Sequence, residues 1–329
     1  MPRGIDLHIP FPSRISPDVD AAHARHLDWP CSFGLLDTEE ARQRHTRARY
    51  AEVAARFNPL ATGADLDLSV DQMSWYFVFD DIFDGPGGAP HPARRLVEAT
   101  MAVLGHPPSP KAEPIVHALA DFWRRARAGM SPTWQARATT HWCAYLAGYL
   151  DEAENRERAR HATLPEYLSF RRNTIGVQPA LDLAERIGHF EVPPRAFASK
   201  HMIAMRLAII DLLIFQNDLC SLEKEEAVGD LNNTVLILER EHACGRSRAV
   251  DLTVGLVRQR SESYLALERD LPVMCRDLNP IERAAVERYA TDALRCAARG
   301  NYDWSESSGR YSIECIDSTL SAPRSLLDS

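Results

Sequence analysis

The sequence of 329 residues predicts a single domain built entirely from α-helices. Apolar residues recur at helical spacing along most of the chain, and short clusters of Gly, Pro, Asn and Asp separate these segments. No stretch alternates strictly enough to predict a strand. Hydrophobic residues make up 45% of the chain, which is enough for a large core. Because no repeat, low-complexity segment or long linker divides the chain, we predict one all-α domain, although it exceeds the usual domain size.

The order of the elements follows from the same pattern. Residues 1–17 are rich in proline and are expected to form an extended arm over the body of the fold, whereas residues from about 312 to 329 are expected to form a flexible tail. Ser16 and Pro17 suit the N-cap and first turn of an opening helix. The predicted helices are 18–29, 38–57, 66–84, 92–104, 111–128, 132–157, 164–188, 194–226, 230–242, 247–270 and 279–300.

Composition argues against several classes of protein. The longest apolar run, Leu207–Phe215, is interrupted by Asp211 and is far shorter than the roughly 20 residues of a membrane-spanning helix, and no charged-then-apolar leader opens the chain. The seven cysteines include no C-x-x-C pair, which indicates reduced thiols. The net charge of −8 argues against a nucleic-acid partner. We therefore expect a cytoplasmic monomer or homodimer without a membrane or nucleic-acid partner.

An aromatic segment that ends in aspartates is the first candidate site. The stretch from 73 to 86 reads Met-Ser-Trp-Tyr-Phe-Val-Phe-Asp-Asp-Ile-Phe-Asp-Gly-Pro. The helix macrodipole disfavours Asp80, Asp81 and Asp84 at a C-terminal end, so a positive partner is expected there. Asp80 and Asp84 lie one turn apart on the same face, and Tyr76 lies one turn before them. Paired carboxylates suit Mg²⁺, which takes oxygen ligands; the alternative is a solvated, frayed helix end.

A second set of oxygen donors follows the predicted helix 194–226. Asn217, Ser221 and Glu225 are each four residues apart, so an amide, a hydroxyl and a carboxylate oxygen share one face over two turns. These are hard ligands of the kind that Mg²⁺ binds. Lys224 lies beside them and could hold an anion that the metal also holds. A solvated helix end with an incidental Asn and Ser is again the alternative, although two such faces in one chain favour a metal site.

Basic side chains are needed if that anion is a diphosphate. The candidates are Arg171-Arg172, which precede Asn-Thr-Ile-Gly176 on a largely apolar helix, and Arg310-Tyr311 near the end of the chain. Each arginine alone is more typical of a solvated surface. The Gly and Pro of Gly176-Val-Gln-Pro179 add weight to the first pair, because they leave backbone carbonyls free near the predicted site.

These residues together resemble the class I terpene synthases. Asp80-Asp-Ile-Phe-Asp84 resembles their aspartate-rich motif, and Asn217-Asp-Leu-Cys-Ser221 with Lys224-Glu225 resembles their second metal motif. Arg172 to Gly176 and Arg310-Tyr311 resemble the diphosphate-sensing arginine and the C-terminal Arg-Tyr pair of the bacterial branch. The similarity extends from the first ten residues to near residue 311 and includes the stretches His8–Pro10, Ala61–Leu68, Met73–Trp75, Thr174–Pro179 and Asn301–Trp304.

The resemblance implies an α-helical bundle with a deep apolar pocket and three Mg²⁺ ions that bind the diphosphate of farnesyl diphosphate. It implies that Asp80 bridges metals while Asp81 and Asp84 support closure, Asp84 also being a metal-ligand candidate. It assigns the remaining ion to Asn217, Ser221 and Glu225, and the grip on the diphosphate to Arg172, Lys224, Arg310 and Tyr311. Metal and cationic side chains would stabilise negative charge on the departing group.

The implied reaction is ionisation of farnesyl diphosphate, cyclisation of the carbocation to a cyclic sesquiterpene and release of diphosphate. Tyr76, Phe77 and Trp304 would stabilise the cation through their ring faces, although plain core packing explains any one of them equally well. Two positions depart from the resembled member of the family, which has phenylalanine at Tyr76 and histidine at Ser305; both are expected at the pocket wall. A buried Tyr76 hydroxyl is expected to be hydrogen bonded to a neighbour.

Other activities are compatible with parts of this pattern. A cyclase could act on geranyl or geranylgeranyl diphosphate, and a non-catalytic helical protein could bind a prenyl diphosphate. A chain-elongating prenyltransferase would normally carry two aspartate-rich motifs, whereas the second motif here is Asn/Ser/Glu. A protonation-initiated cyclase would need an Asp-x-Asp-Asp run, which Asp65-Leu-Asp-Leu68 does not supply.

Overall fold

The computed structural model describes residues 5–83, 90–157, 161–227, 231–308 and 310. Every regular element in these ranges is a helix, which confirms the predicted all-α class. The helices are α1 (Val19–Arg25), α2 (Asp28–Ser32), α3 (Glu39–Ala48), α4 (Tyr50–Phe57), α5 (Gly63–Phe83), α6 (Pro90–Ala102), α7 (Pro114–Ala126), α8 (Pro132–Glu157), α9 (Leu164–Thr174), α10 (Val177–Ile187), α11 (Pro194–Phe197), α12 (Lys200–Ala227), α13 (Thr234–Glu241), α14 (Arg246–Arg269), α15 (Leu271–Met274), α16 (Pro280–Arg288) and, after a π-helical segment (Tyr289–Leu294), α17 (Arg295–Ser307).

Helix α12 is the centre of the bundle. Its middle section, residues 208–216, is buried on every side, as expected for a helix that is apolar all round. It packs against α9, α10, α13, α14 and α17. Helix α5 packs on the other side of the fold against α4, α7 and α10, and α17 joins the two sides because it contacts both α4 and α12. None of the described helices is long and apolar enough to cross a membrane.

A left-handed residue divides the predicted helix 38–57. Arg49 has φ 55° and ψ 46°, so α3 ends at Ala48 and α4 begins at Tyr50. The turn redirects the chain so that almost all of α4 is buried against α5 and α17. Arginine rarely adopts this conformation, which explains why the sequence predicted one continuous helix here.

The predicted helix 164–188 is divided at Gly176, which has φ 73°. A side chain at this position would be strained, and its Cβ would lie 3.3 Å from the ring of Tyr145 and 3.6 Å from that of Tyr76. Glycine is therefore required by the backbone conformation, and a Cβ would in addition press on the ring of Tyr145. The break directs the end of α9 and the start of α10 toward the same cavity.

Residues 5–16, which precede the first helix, form an extended segment, here called the strap, that packs across α17. Leu7, Ile9 and Phe11 are buried, and Arg299 of α17 donates to the carbonyl oxygens of Ile9 and Phe11 at 3.2 and 3.4 Å. The Ser16 hydroxyl donates to the Ala61 carbonyl at 2.6 Å. The strap thus holds α17 from outside. The predicted C-terminal tail, residues 312–329, lies outside the described residues.

Candidate active site

A cavity lies between α4, α5, α8, α9, α10, α12 and α17, and it contains most of the predicted site residues. Its apolar wall includes Val53, Phe57, Met73, Tyr76, Phe77, Ile175, Val177, Leu213 and Trp304. Its polar part includes Asp80, Arg171, Asn217, Ser221, Lys224, Glu225, Asn232 and Arg310. The predictions for Asp84 and Tyr311 fall outside the described residues. The C-terminal ends of α5 and α12 therefore supply the polar part of one apolar cavity.

Arg310 supplies the positive partner that the acidic end of α5 needs. Its Nη2 donates to Asp80 at 2.8 Å, and its Nη1 lies 3.3 Å from Asp81 and 2.9 Å from the Tyr50 hydroxyl. The guanidinium lies 4.3 Å from the centroid of Phe77, within cation–π range. Since Arg310 is 8% exposed and the two aspartates 40%, the cation is buried behind the carboxylates. A residue from the far end of the chain thus offsets the unfavourable helix dipole.

The second oxygen face on α12 forms one hydrogen-bonded cluster. The Ser221 hydroxyl lies 2.8 Å from the backbone carbonyl oxygen of Asn217 and 2.8 Å from Glu225 Oε1. Asn233, which the sequence analysis missed, donates from Nδ2 to Glu225 Oε2 at 2.8 Å. The Ser221 hydroxyl and the Glu225 carboxylate are therefore hydrogen bonded to each other, whereas the side-chain oxygen of Asn217 accepts from Arg171. All three side chains line the cavity and carry oxygens that are suitable ligands for a hard cation.

Asp218 fixes the chain that covers this cluster. It is fully buried, accepts from the Tyr167 hydroxyl at 2.9 Å, and accepts from the backbone N–H of Thr234 at 2.8 Å. Burial raises the pKa of this carboxyl, while nearby Arg171 and the donors of Thr234 act in the opposite direction. The contacts anchor the start of α13, which is capped by Asn233. Asp218 thus supports the site from behind rather than facing the cavity.

The two adjacent arginines of α9 have different partners. Arg172 forms a two-point ion pair with Asp211, at 2.7 and 2.9 Å, and does not line the cavity. Asp211 is 2% exposed and also accepts from Arg260 at 2.9 Å. Arg171 lines the cavity, donates to Asn217 Oδ1 at 2.9 Å and to the Thr174 hydroxyl at 3.2 Å.

The expectation that Arg172 faces the site is therefore corrected: its neighbour Arg171 does. Consecutive helical side chains point about 100° apart, and here Arg171 points to the cavity while Arg172 points to Asp211. The buried carboxylate of Asp211 attracts Arg172, and the hydrogen bonds to that carboxylate raise the pKa of Arg172. The sequence showed the arginine pair and the apolar helix but not the position of Asp211, which decides between them.

The Tyr76 hydroxyl is tied to the break between α9 and α10. It donates to the Gly176 carbonyl at 3.1 Å and accepts from Gln72 Nε2 at 3.1 Å. The prediction that this hydroxyl has a hydrogen-bonding neighbour is confirmed. Burial raises the pKa of Tyr76 well above its usual value, so the phenol is neutral. Its ring remains part of the cavity wall beside Tyr145, at 5.0 Å between centroids.

The other predicted aromatic residues also line the cavity. Phe77 stacks on Tyr50 at 4.3 Å and lies 5.5 Å from Trp304, measured between ring centroids. Trp304 is fixed because its Nε1–H donates to the Ala48 carbonyl at 2.9 Å. Ser305 is buried but is not among the cavity-lining residues, so its expected place at the pocket wall is corrected.

A tyrosine pair on α8, missed by the sequence analysis, connects the aromatic wall to the acidic face. The hydroxyls of Tyr145 and Tyr149 are 2.8 Å apart, and the Tyr149 hydroxyl lies 3.5 Å from Asp80 Oδ1. Both rings line the cavity. Their four-residue spacing places them on one face of α8, which was the only sequence signal available.

Comparison with known proteins agrees with this geometry. Residues 71–263 match the model for terpene synthase family 2, C-terminal metal binding. The chain belongs to this family. Similar members include pentalenene synthase of Streptomyces exfoliatus, 51% identical over 95% of this chain and 94% of the relative. The (-)-beta-caryophyllene synthase of Saccharothrix espanaensis, which cyclises (2E,6E)-farnesyl diphosphate, is 39% identical over 95% and 90%.

A terpene synthase of known structure has the same fold. The linalool/nerolidol synthase of Streptomyces clavuligerus, in complex with 2-fluorogeranyl diphosphate, superposes with a TM-score of 0.84. It is 39% identical and covers 89% of this chain and 100% of its own. Membership of this metal-binding family implies a divalent cation.

The donor atoms fit that requirement, although no three His, Cys, Asp or Glu side chains among the described residues converge on one point. The ligand candidates are oxygens of different chemical types: Asp80 from α5, and Asn217, Ser221 and Glu225 from α12. Oxygen donors without thiolate or imidazole favour Mg²⁺ over zinc or copper. The donor atoms are therefore of the kind that a hard divalent cation binds.

Proposed function

We propose that this terpene synthase is a sesquiterpene cyclase that ionises farnesyl diphosphate and cyclises the resulting carbocation to a cyclic hydrocarbon, with release of diphosphate. One observation carries the proposal: a single cavity combines an aromatic apolar wall with two oxygen-donor faces and the side chains of Arg171, Lys224 and Arg310. The apolar part suits a prenyl chain, and the polar part suits its diphosphate. We expect the enzyme to act in the cytoplasm as a monomer or homodimer.

Three Mg²⁺ ions are proposed at the polar end. Asp80 would hold metal on the α5 side together with Asp84, and Asn217, Ser221 and Glu225 would hold metal on the α12 side. When bound, Mg²⁺ supplies positive charge that stabilises the departing diphosphate. The α12 donors are supported by their close spacing, since the Ser221 hydroxyl lies 2.8 Å from Glu225.

The cationic side chains are proposed to bind the diphosphate. Arg171 is proposed in the role first expected of Arg172, because Arg171 lines the cavity beside Asn217. Lys224 and Arg310 complete the set, with Tyr311 beside Arg310 in sequence. Arg310 would exchange its carboxylate partners for the diphosphate, and its guanidinium can make two parallel hydrogen bonds to such an anion.

The apolar wall is proposed to guide the cation and exclude water. Phe77 and Trp304 lie 5.5 Å apart between centroids, and Tyr76 faces the cavity one helical turn before Asp80. Each ring face contributes about 0.5–2 kcal/mol of cation stabilisation. The Tyr76 oxygen already has a donor and an acceptor partner, so it is engaged within the protein and a hydrocarbon product is expected.

The decisive experiment incubates the purified protein with Mg²⁺ and, separately, with geranyl, farnesyl or geranylgeranyl diphosphate. Gas chromatography–mass spectrometry of the headspace and a diphosphate assay are the measurements, with pentalenene as a reference standard. A cyclic C15 hydrocarbon from farnesyl diphosphate is expected. A longer diphosphate in a parallel reaction that also contains isopentenyl diphosphate, the C5 unit that elongation adds, would indicate elongation, and unchanged substrate in all reactions would indicate a binding protein.

A matched pair of variants tests the ligand assignment. Ser221→Ala removes a proposed metal ligand and should lower turnover. Ser263→Ala removes the same group from α14, where the hydroxyl donates to the Gln259 carbonyl away from the cavity, and should have no effect. Equal activity in the two variants would contradict a metal at Ser221.

A further inference from the structure

Two side-chain amides connect helix α12 to helix α17 at the cavity wall. Asn301 of α17 lines the cavity one turn before Trp304. Its Nδ2 donates to Gln216 Oε1 at 2.9 Å. Gln216 is 1% exposed and directly precedes Asn217 on α12, and its Nε2 donates to the Ala298 carbonyl at 3.2 Å. A chain of hydrogen bonds therefore runs from a backbone carbonyl through Gln216 to Asn301.

The direction of this chain follows from the chemistry of its first member. The Ala298 carbonyl only accepts, so Gln216 must present its nitrogen to it and its oxygen on the other side. That oxygen also only accepts, so Asn301 must present its nitrogen. The side-chain oxygen of Asn301 is then the atom directed away from Gln216. The hydrogen bonds of the described residues give this oxygen no partner, and Asn301 borders the cavity.

We propose that Asn301 presents its side-chain oxygen, the negative end of the amide dipole, to the cavity, where it stabilises positive charge beside Trp304. Gln216 is the residue that positions this amide. The inference rests on the proposed cyclase function. A preoriented dipole in a water-poor cavity stabilises charge without reorganisation during the reaction. A neutral amide suits this role, because a carboxylate is the stronger nucleophile and base, and its oxygen lone pair would form an ester with the cation or remove a proton from it. Asn301 would thus influence which cation persists and therefore which product forms.

A merely structural role makes a different prediction. If the amide pair only joins α12 to α17, its loss lowers stability and total turnover but leaves the proportions of the products unchanged. If the Asn301 oxygen stabilises a cation, its loss changes the proportions while ionisation, which depends on the diphosphate end of the cavity, continues. The two roles can therefore be separated by measuring product ratio and diphosphate release in the same reactions.

The test compares Asn301→Leu with the parent enzyme on farnesyl diphosphate and Mg²⁺. The ratio of the main cyclic product to earlier, prematurely deprotonated products should fall about tenfold, which corresponds to about 1.4 kcal/mol, while KM and diphosphate release change little. Gln216→Met should shift the ratio in the same direction by less, because the Asn301 amide can then rotate. The double variant should match Asn301→Leu alone, since Gln216 acts only through Asn301.

Ser307→Ala is the matched control. It removes a hydrogen bond of 3.1 Å between the same helix and Glu52 of α4, outside the cavity, and should leave the product ratio unchanged. If the parent enzyme produces hydrocarbons and Asn301→Leu leaves the product ratio unchanged, the proposed role of Asn301 is overturned but the cyclase function is not. Additive effects of the two substitutions overturn the positioning role of Gln216. A parent enzyme that makes no hydrocarbon overturns the cyclase function and this inference together.

A binding measurement isolates the electrostatic effect from turnover. A prenyl analogue with a tertiary ammonium at the cationic carbon is titrated by calorimetry in the presence of Mg²⁺ and inorganic diphosphate, alongside its uncharged carbon isostere. Asn301→Leu should bind the ammonium compound about tenfold more weakly and the isostere equally well. Equal losses for both compounds would assign Asn301 to shape rather than charge and overturn the proposal.

Discussion

Removal of the Tyr76 hydroxyl tests whether its hydrogen bonds to Gly176 and Gln72 hold this part of the cavity wall in place. Tyr76→Phe keeps the ring and deletes one oxygen, which donates to Gly176 and accepts from Gln72, each at 3.1 Å. Neither partner is left alone. Gln72 Nε2 retains the Pro179 carbonyl at 3.3 Å, and the Gly176 carbonyl retains the Ala180 N–H at 3.4 Å.

The size of the effect follows from these remaining contacts. A buried group that loses its only partner destabilises a fold by about 1–3 kcal/mol, whereas a hydrogen bond contributes about 0.5–1.5 kcal/mol net. Because both partners keep a second, weaker contact, we expect Tyr76→Phe to lower the free energy of unfolding by about 1 kcal/mol. For a chain of this size that corresponds to a melting temperature roughly 2 °C lower. The ring face is unchanged, so turnover should be retained.

The product distribution should nevertheless change, because the Gly176 carbonyl gains freedom at the cavity wall. Thermal unfolding and headspace mass spectrometry measure the two effects. Tyr264→Phe is the matched control: its buried hydroxyl donates to the Ala290 carbonyl at 2.8 Å outside the cavity. It should lose similar stability with the same products. An unchanged melting temperature and product distribution in Tyr76→Phe would refute the reasoning, and complete loss of turnover would give the hydroxyl a chemical role.

Three further results are expected. Asp80→Ala and Asn217→Ala should each lose most turnover but keep the helical circular dichroism signal, and full activity in either would contradict the metal assignment. Arg171→Lys should weaken binding of Mg²⁺ with inorganic diphosphate in calorimetry, whereas Arg172→Lys should chiefly lower the melting temperature, since lysine cannot reproduce a two-point ion pair; the reverse pattern would exchange their roles. Burial lowers the pKa of His45 to about 3, and neither ring nitrogen has a hydrogen-bond partner. As the pH falls below about 6.5, His45 of the unfolded chain takes up a proton, whereas His45 of the folded protein stays neutral down to about pH 3. The free energy of unfolding should therefore fall by about 1.4 kcal/mol for each pH unit between these two values. His45→Phe should reduce that slope in chemical denaturation, and equal slopes would refute the assignment.

The helical class and most helices could be predicted because they depend on local patterns. The apolar periodicity along α12 and the Gly and Pro clusters between helices are visible in the sequence. The break at Arg49 was not predictable, because its left-handed backbone is imposed by the burial of α4 on neighbouring helices. The π-helical segment Tyr289–Leu294 likewise has no local signal, and it shifts the phase of every later residue on α17.

The oxygen-donor faces were predictable for a related reason. Asn217, Ser221 and Glu225 share a face through helix geometry alone, and their grouping is fixed once α12 forms. The choice between Arg171 and Arg172 depends on Asp211, which is distant in sequence. Such choices depend on tertiary contacts, which no spacing within one helix encodes.

The ion pairs of Arg310 make it a tethered competitor for the acidic end of α5. Its guanidinium already neutralises part of the charge of Asp80 and Asp81, at 2.8 and 3.3 Å. Any external cation at these carboxylates must therefore compete with a group that is always present at high local concentration. An anion that attracts Arg310 relieves this competition, and thermodynamic linkage requires the reverse: a cation at the carboxylates strengthens binding of the anion by the same factor. The proposed metal and diphosphate would thereby be coupled through one side chain, so each should bind more weakly when supplied without the other.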